Sequence, residues 1–399
     1  MKPIALFRMF ICLFLLLHWG CRLCAQNEHS ITLGFQHQLF SQILQEEQKY
    51  WVYVPPSYSD TTLTEKYPVL YLLDGNLYFH IAGGIVHYSK GPFKLPETLV
   101  VGILNTDRIR DFTPSQSDLN MFGESIQGLE NSGGADTFLS YIEKELIPHV
   151  EAQYRASSYR ILMGHSFGGL LAGYAFSKGN SPFTSFLLID PSFWWNNAEM
   201  VEYVQARKDS ALLLGKSIYL GEADNRSESY FDNTPHIEAI QTWRNQLPDS
   251  LIRFQHDYFQ GETHASVGLL ALYKGLSFIF EGYRPHDSVF SQAHYLQQHY
   301  EALSKKWNGK FLPPEGLVRN LGFGAQYGQK DYEKAVTYFE MNVENYPNSP
   351  HAYRLLGEAY LAWGKREKGI SYLRQALSLE PENKLIQEKL NAVGEVQKN

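Results

Sequence analysis

The stretch Arg160-Ile-Leu-Met-Gly164-His165-Ser166-Phe167-Gly168-Gly169-Leu170 decides how this chain is read. Arg160 to Met163 has the apolar density of a short buried strand, and Leu170 to Ser177 reads as a helix of small and apolar residues. Between them, Gly-x-Ser-x-Gly puts a serine on a sharp strand-to-helix turn. The glycines let the two elements approach closely, and the backbone N–H after the serine points at a developing oxyanion. The motif is short; its position between a strand and a helix gives it chemical meaning.

Ser166 is therefore the candidate nucleophile, and a serine hydroxyl needs a base to take its proton. The usual base is a histidine oriented by a carboxylate, in chain order serine, acid, histidine. Downstream, Gly261-Glu262-Thr263-His264 follows a strand near Tyr258 and precedes a helix from Ser266 to Phe280, which makes His264 the candidate base. Gly221-Glu222-Ala223-Asp224-Asn225 follows the strand Ser217 to Leu220 and offers Asp224 as the acid, with Glu222 as the alternative. Asp190, at the end of its own strand, is a third, non-standard candidate, or a cap for the Pro191-Ser192 turn.

The second oxyanion donor belongs on the loop after an earlier strand. Leu72-Leu73-Asp74-Gly75-Asn76 occupies that place, so the N–H groups of Phe167 and Asn76 are expected to converge, with Asp74 bracing the loop. His165, Trp194, Trp195 and Arg108 are candidate pocket residues: the tryptophans stack on a ring or pack beneath the floor, and Arg108 and Arg110 bind an anionic group or pair with Asp107 and Asp111. No histidine–carboxylate cluster has metal-ligand spacing and no glycine-rich loop suits a phosphate, so neither metal nor cofactor is expected.

From about Ile31 to Tyr283, apolar runs (Tyr50 to Val54, Val69 to Leu73, Leu99 to Leu104, Phe186 to Ile189) alternate with helical stretches such as Asp136 to Pro148, where Phe138, Ile142 and Leu146 recur every four residues. Strands alternating with helices predict an α/β domain with a mostly parallel sheet covered on both faces. From about Pro313 the pattern becomes all-helical with a period of 34: Tyr346-Pro347-Asn348 is echoed by Glu380-Pro381-Glu382. Tyr353, Leu356, Gly357, Tyr360, Gly369, Leu373, Ala376 and Pro381 follow tetratricopeptide spacing. Two repeats fall short of the roughly three that stand alone, so they are expected to lean on the preceding domain or on a partner. The expected divisions are 1–26, a targeting segment; 27–283, the α/β domain; 284–312, a helical connector; and 313–397, the repeats, closing with a helix from Lys384 to Val396.

Residues 1–26 combine Lys2 and Arg8, an apolar run from Met9, and a small-residue end at Cys24-Ala25-Gln26, the layout of a secretory signal peptide rather than a membrane-spanning helix. All three cysteines, Cys12, Cys21 and Cys24, lie in it; cleavage near Gln26 leaves a protein with no disulfide or thiol. Periplasmic or secreted export is expected, with a lipid on Cys21 as the alternative. The 399 residues are 44% hydrophobic and carry a formal charge of −7, which becomes −10 once Lys2, Arg8 and Arg22 are removed. That balance argues against nucleic-acid binding.

Taken together, Tyr67-Pro-Val-Leu-Tyr-Leu-Leu-Asp-Gly75, Asn105 to Pro114, Gly164 to Gly169, Asp190-Pro-Ser-Phe-Trp-Trp195 and Glu262-Thr-His264 resemble the Putative esterase (esterase-D-like) family over about Phe35 to Tyr283. That family includes siderophore trilactone esterases, feruloyl and acetyl-xylan esterases, and mycolyltransferases. The resemblance implies an α/β-hydrolase fold, Ser166 as nucleophile, His264 as base and, by glycine-to-acid spacing, Asp224 as acid. The two-part layout is similar to that of a bacterial subgroup. The family resemblance implies hydrolysis of a small ester, a siderophore trilactone or an acyl or feruloyl ester of a sugar; the alternatives are acyl transfer by the same residues, or a binding or scaffold protein whose repeats recruit a peptide or protein partner.

Overall fold

A computed structural model describes residues 32–89, 95–120, 122–207, 209–225 and 233–394; the expected targeting segment, its cleavage site and its cysteines lie outside the described residues. Eight strands form one sheet: β1 (Phe35–Ser41), β2 (Glu46–Tyr53), β3 (Tyr67–Leu72), β4 (Leu99–Leu104), β5 (Ala156–His165), β6 (Ser185–Ile189), β7 (Lys216–Ala223) and β8 (Ile252–Phe259). Their order is β1-β2-β4-β3-β5-β6-β7-β8. From β4 to β8 all pairings are parallel, and β1 and β2 add an antiparallel hairpin at the β4 side.

The predicted apolar runs become β2 to β8. Those at the centre are buried throughout, as expected for strands with helices on both faces. β1 has no counterpart in the sequence reading. Its Phe35-Gln-His-Gln-Leu-Phe-Ser is half polar and largely exposed, and it is held by pairing with β2 rather than by burial. The predicted helix around Asp136 is a helical run over 135–153, in which Phe138, Ile142 and Leu146 face the core.

The chain lays β4 on one side of β3 and then returns to lay β5 on the other. The loops leaving β3 and β5 therefore emerge side by side at a topological switch point, where ligands bind in open α/β sheets. Register fixes the neighbours: Leu72 pairs with Met163, and the Leu73 N–H donates to the Met163 carbonyl at 2.9 Å.

The connector packs on the sheet domain. Trp307 is fully buried against Phe280 and Tyr283, and Phe311 meets the Tyr159 ring at 4.9 Å. The helices Glu315–Phe323, Tyr332–Asn345, Pro350–Ala362, Arg366–Leu379 and Lys384–Ala392 follow, each packed on the next. Glu315 ties them down: its buried carboxylate accepts the Thr64 N–H at 2.6 Å, and its own N–H donates to Glu65 Oε2 at 2.9 Å. Arg319 reaches Asp60 at 3.0 Å. A cavity of about 1150 Å³ lies at this junction, lined by Glu65, Tyr67, Tyr283, Tyr300 and Tyr346 among others. It opens at the start of β3, the sheet edge opposite Ser166. No helix among the described residues is long and apolar enough to cross a membrane.

Candidate active site

Ser166 stands between β5 and the helix Phe167–Ser177 with φ 61° and ψ −122°, a conformation strained for any residue with a side chain. Three backbone bonds hold it there. Its N–H donates to the Ile189 carbonyl, and its own carbonyl accepts from Leu170 and Ser192, each at 3.0 Å. The turn needs Gly164, because a Cβ at that position would strike the Gly168 carbonyl. Phe167 is the first residue of the helix, so its N–H has no intrahelical acceptor. Asn76 sits likewise in the first turn of the helix Gly75–Ser89, reached through Asp74 at φ 53°. The two expected oxyanion amides thus lie at the first turns of helices that begin just beyond adjacent strands.

His264 follows β8 on the expected loop, but the carboxylate it meets is that of Asp190. His264 Nδ1 lies 2.5 Å from Asp190 Oδ2. Asp190 directly follows β6 with φ 37°, is fully buried, and accepts further bonds from the Ala223 N–H at 3.2 Å and from Asn225 Nδ2 at 2.8 Å. An ionised carboxylate so placed fixes the imidazole with its proton on Nδ1. Asp224, the expected acid, is carried past this point because β7 continues through Glu222 and Ala223, beyond the last paired residue of β6. Its Oδ2 accepts the Gly261 N–H at 3.2 Å and its N–H donates to the Glu262 carbonyl at 2.7 Å, so it shapes the loop that carries His264. The alternative acid, Glu222, is also placed elsewhere: it is buried in β7, 2.8 Å from His256 Nε2 and from Thr234 Oγ1.

His165, expected in the pocket, is buried against His264. Its Nε2–H donates to the His264 carbonyl at 2.8 Å, and the two rings lie 4.4 Å apart. Burial, reinforced by the nearby His264, pushes its pKa down to about 4, so it is neutral at physiological pH. Trp195 is a correction too. It is fully buried in the core against Phe167, whereas Trp194 stays half-buried, 5.6 Å from the same ring. Arg108 forms a bidentate pair with Asp74, and Arg110 pairs with Asp111 and Glu46. Ser192 was not singled out in the sequence; its hydroxyl lies 3.2 Å from Ser166 Oγ. Nothing short of the fold would have paired these two serines. Among the described residues, no group of three or more histidine, cysteine or acidic side chains converges as a metal site.

The chain belongs to the Putative esterase family, whose model matches residues 41–264, and a tetratricopeptide repeat model matches residues 350–383. Its class is that of the carboxylic ester hydrolases. The ferri-bacillibactin esterase BesA of Bacillus subtilis is 27% identical over 243 residues, spanning 56% of this chain and 82% of the relative. The siderophore triacetylfusarinine C esterase of Aspergillus fumigatus is 27% identical over 267 residues, spanning 55% and 84%. An IroE-like serine hydrolase from Shewanella oneidensis, at 27% identity, superposes with a TM-score of 0.68 over 78% of this chain and 99% of its own.

Proposed function

We propose that this chain hydrolyses small esters of the siderophore type through Ser166, His264 and Asp190 by way of an acyl-enzyme. The contact between His264 Nδ1 and the buried Asp190 carboxylate, beside a serine held at positive φ, carries this reading. Asp190 keeps the imidazole proton on Nδ1 and stabilises the imidazolium as it forms. The other ring nitrogen, Nε2, takes the Ser166 proton as Oγ attacks the ester carbonyl. Charge developing on the carbonyl oxygen is met by the N–H groups of Phe167 and Asn76, aided by the positive ends of their helices. Nε2 then protonates the leaving alkoxide. Water repeats the sequence on the acyl-enzyme and frees the acid.

The names of the two curated relatives support a siderophore ester over an acyl or feruloyl ester of a sugar. The apolar run before Gln26 supports action outside the cytoplasm. The repeats, in this reading, hold a peptide or protein partner.

The test is hydrolysis of p-nitrophenyl acetate, a siderophore trilactone and acetylated or feruloylated sugars, with Ser166→Ala alongside. Turnover that is lost in Ser166→Ala and highest in kcat/KM on the trilactone is expected. Preference for a sugar ester would reassign the substrate, and activity surviving Ser166→Ala would remove the nucleophile.

A further inference from the structure

Resting on that hydrolytic reading, we infer that Arg108 is a positioning residue that locks the two halves of the oxyanion site to each other. Asp74 turns the chain out of β3 at φ 53° and stands two residues before Asn76. Its carboxylate accepts Arg108 Nε at 2.8 Å and Nη2 at 3.0 Å, and Asn105 Nδ2 at 2.9 Å. The same Nη2 donates to the backbone carbonyl of His165 at 3.3 Å, directly before Ser166. The guanidinium also stands over the rings of Phe167 and Phe112, 5.4 Å from each centroid.

One rigid, planar cation therefore touches both turns: the one that presents the Asn76 amide and the one that presents Phe167. Nη2 has two hydrogens; Asp74 takes one and His165 the other. Only the two hydrogens of Nη1 stay outside this clamp, on a side chain that is about one-third exposed (35%), so an anion-binding role would rest on that one nitrogen. A lysine has no such fork and no plane to stack, so the charge alone cannot replace the clamp. The amides need this support because an oxyanion donor acts only when preorganised, and a shift of about 1 Å can cost about 100-fold in rate.

The experiment measures kcat and KM for Arg108→Lys and Arg108→Met on a neutral ester, p-nitrophenyl acetate, and on one bearing a carboxylate, mono-p-nitrophenyl succinate. Affinity for a trifluoromethyl ketone, which forms a bound oxyanion, is read in parallel. A fall in kcat of about 10- to 100-fold on both esters is expected, with KM within about twofold and a matching loss of ketone affinity. Asp74→Asn should reproduce the loss, and the double variant should fall little below the worse single one. Should Arg108→Met fail to fold, Arg108→Lys, which keeps the charge, carries the same test. Unchanged kcat on the neutral ester, with KM raised only for the anionic one, would make Arg108 a substrate contact and overturn the inference. Hydrolysis that survives Ser166→Ala, or is absent from the wild-type protein, would instead overturn the hydrolytic reading and this one with it.

Discussion

His264 Nδ1 meets Asp190 Oδ2 at 2.5 Å, which joins the loop after β8 to the end of β6 across the intervening strand β7. In the proposed triad the acid thus comes from the strand next to the one that carries Ser166. Asp190→Asn should leave the geometry nearly intact but favour the wrong imidazole tautomer, lowering kcat by about 10³- to 10⁴-fold. Asp224→Asn should cost only a few-fold, through the loop at Gly261. Steady-state kinetics on one ester, comparing the two variants, checks the assignment; the reverse ranking would restore Asp224.

The elbow, the mostly parallel sheet and the loop that carries His264 were legible because each rests on local pattern: apolar runs for the strands, glycines around Ser166, and a turn after the last strand. The acid was not. Choosing between Asp190 and Asp224 depends on how far β7 outruns β6 and on a positive φ at Asp190, and neither leaves a mark in residue spacing. The ion-pair partner of Arg108 was hidden for the same reason. The arginine's neighbours Asp107 and Asp111 are near in sequence, but its partner Asp74 lies across the switch point, 34 residues away. Adjacent tryptophans likewise looked equivalent until Trp195 turned into the core and Trp194 did not.

His165 should matter to rate through His264 rather than through substrate. His165→Phe removes the donor to the His264 carbonyl and should lower kcat by about tenfold with KM little changed, a loss of about one hydrogen bond's worth of positioning. Its folded pKa, about 4, lies below the ordinary 6.5. The unfolded chain therefore takes up that proton first, and stability is lost as pH falls from about 6.5 towards 4. Thermal melts across that window should fall less steeply in His165→Phe than in the wild type.

Glu65 works in the opposite sense. Burial raises its carboxyl from 4.5 to about 7, with the nearby Glu97 and Glu315 adding to the rise. The folded protein holds this proton longer than the unfolded one, so the contribution is fully present below about 4.5 and is lost as pH climbs through 7. Glu65→Gln keeps an acceptor for the Glu315 N–H and should be more stable than wild type at pH 8, by up to about 3 kcal/mol, with little difference at pH 5. Denaturant titrations at the two pH values measure it.

Truncation should separate the connector from the repeats. Ending the chain at Tyr283 uncovers Phe280 and Tyr159, which Trp307 and Phe311 now cover, and the product should be insoluble or melt far below the full chain. Ending at Pro313 keeps both aromatics and sacrifices the attachments through Glu315 and Arg319, together with the bonds from Tyr338 to Phe290 and from Asn345 to Gln297. That shorter protein should fold and keep kcat near the full-length value, measured beside its melting temperature.

The attachment of the helical tail through Thr64, Glu65 and Asp60, at the entry to β3, has a consequence for how the molecule is used. The proposed catalytic site lies where β3 and β5 end, so the tail is moored at the stern while cargo would be handled at the bow. A partner gripped by the repeats would berth the enzyme at a chosen place without shadowing its mouth. Address and turnover can then be tuned by separate sets of substitutions, each blind to the other.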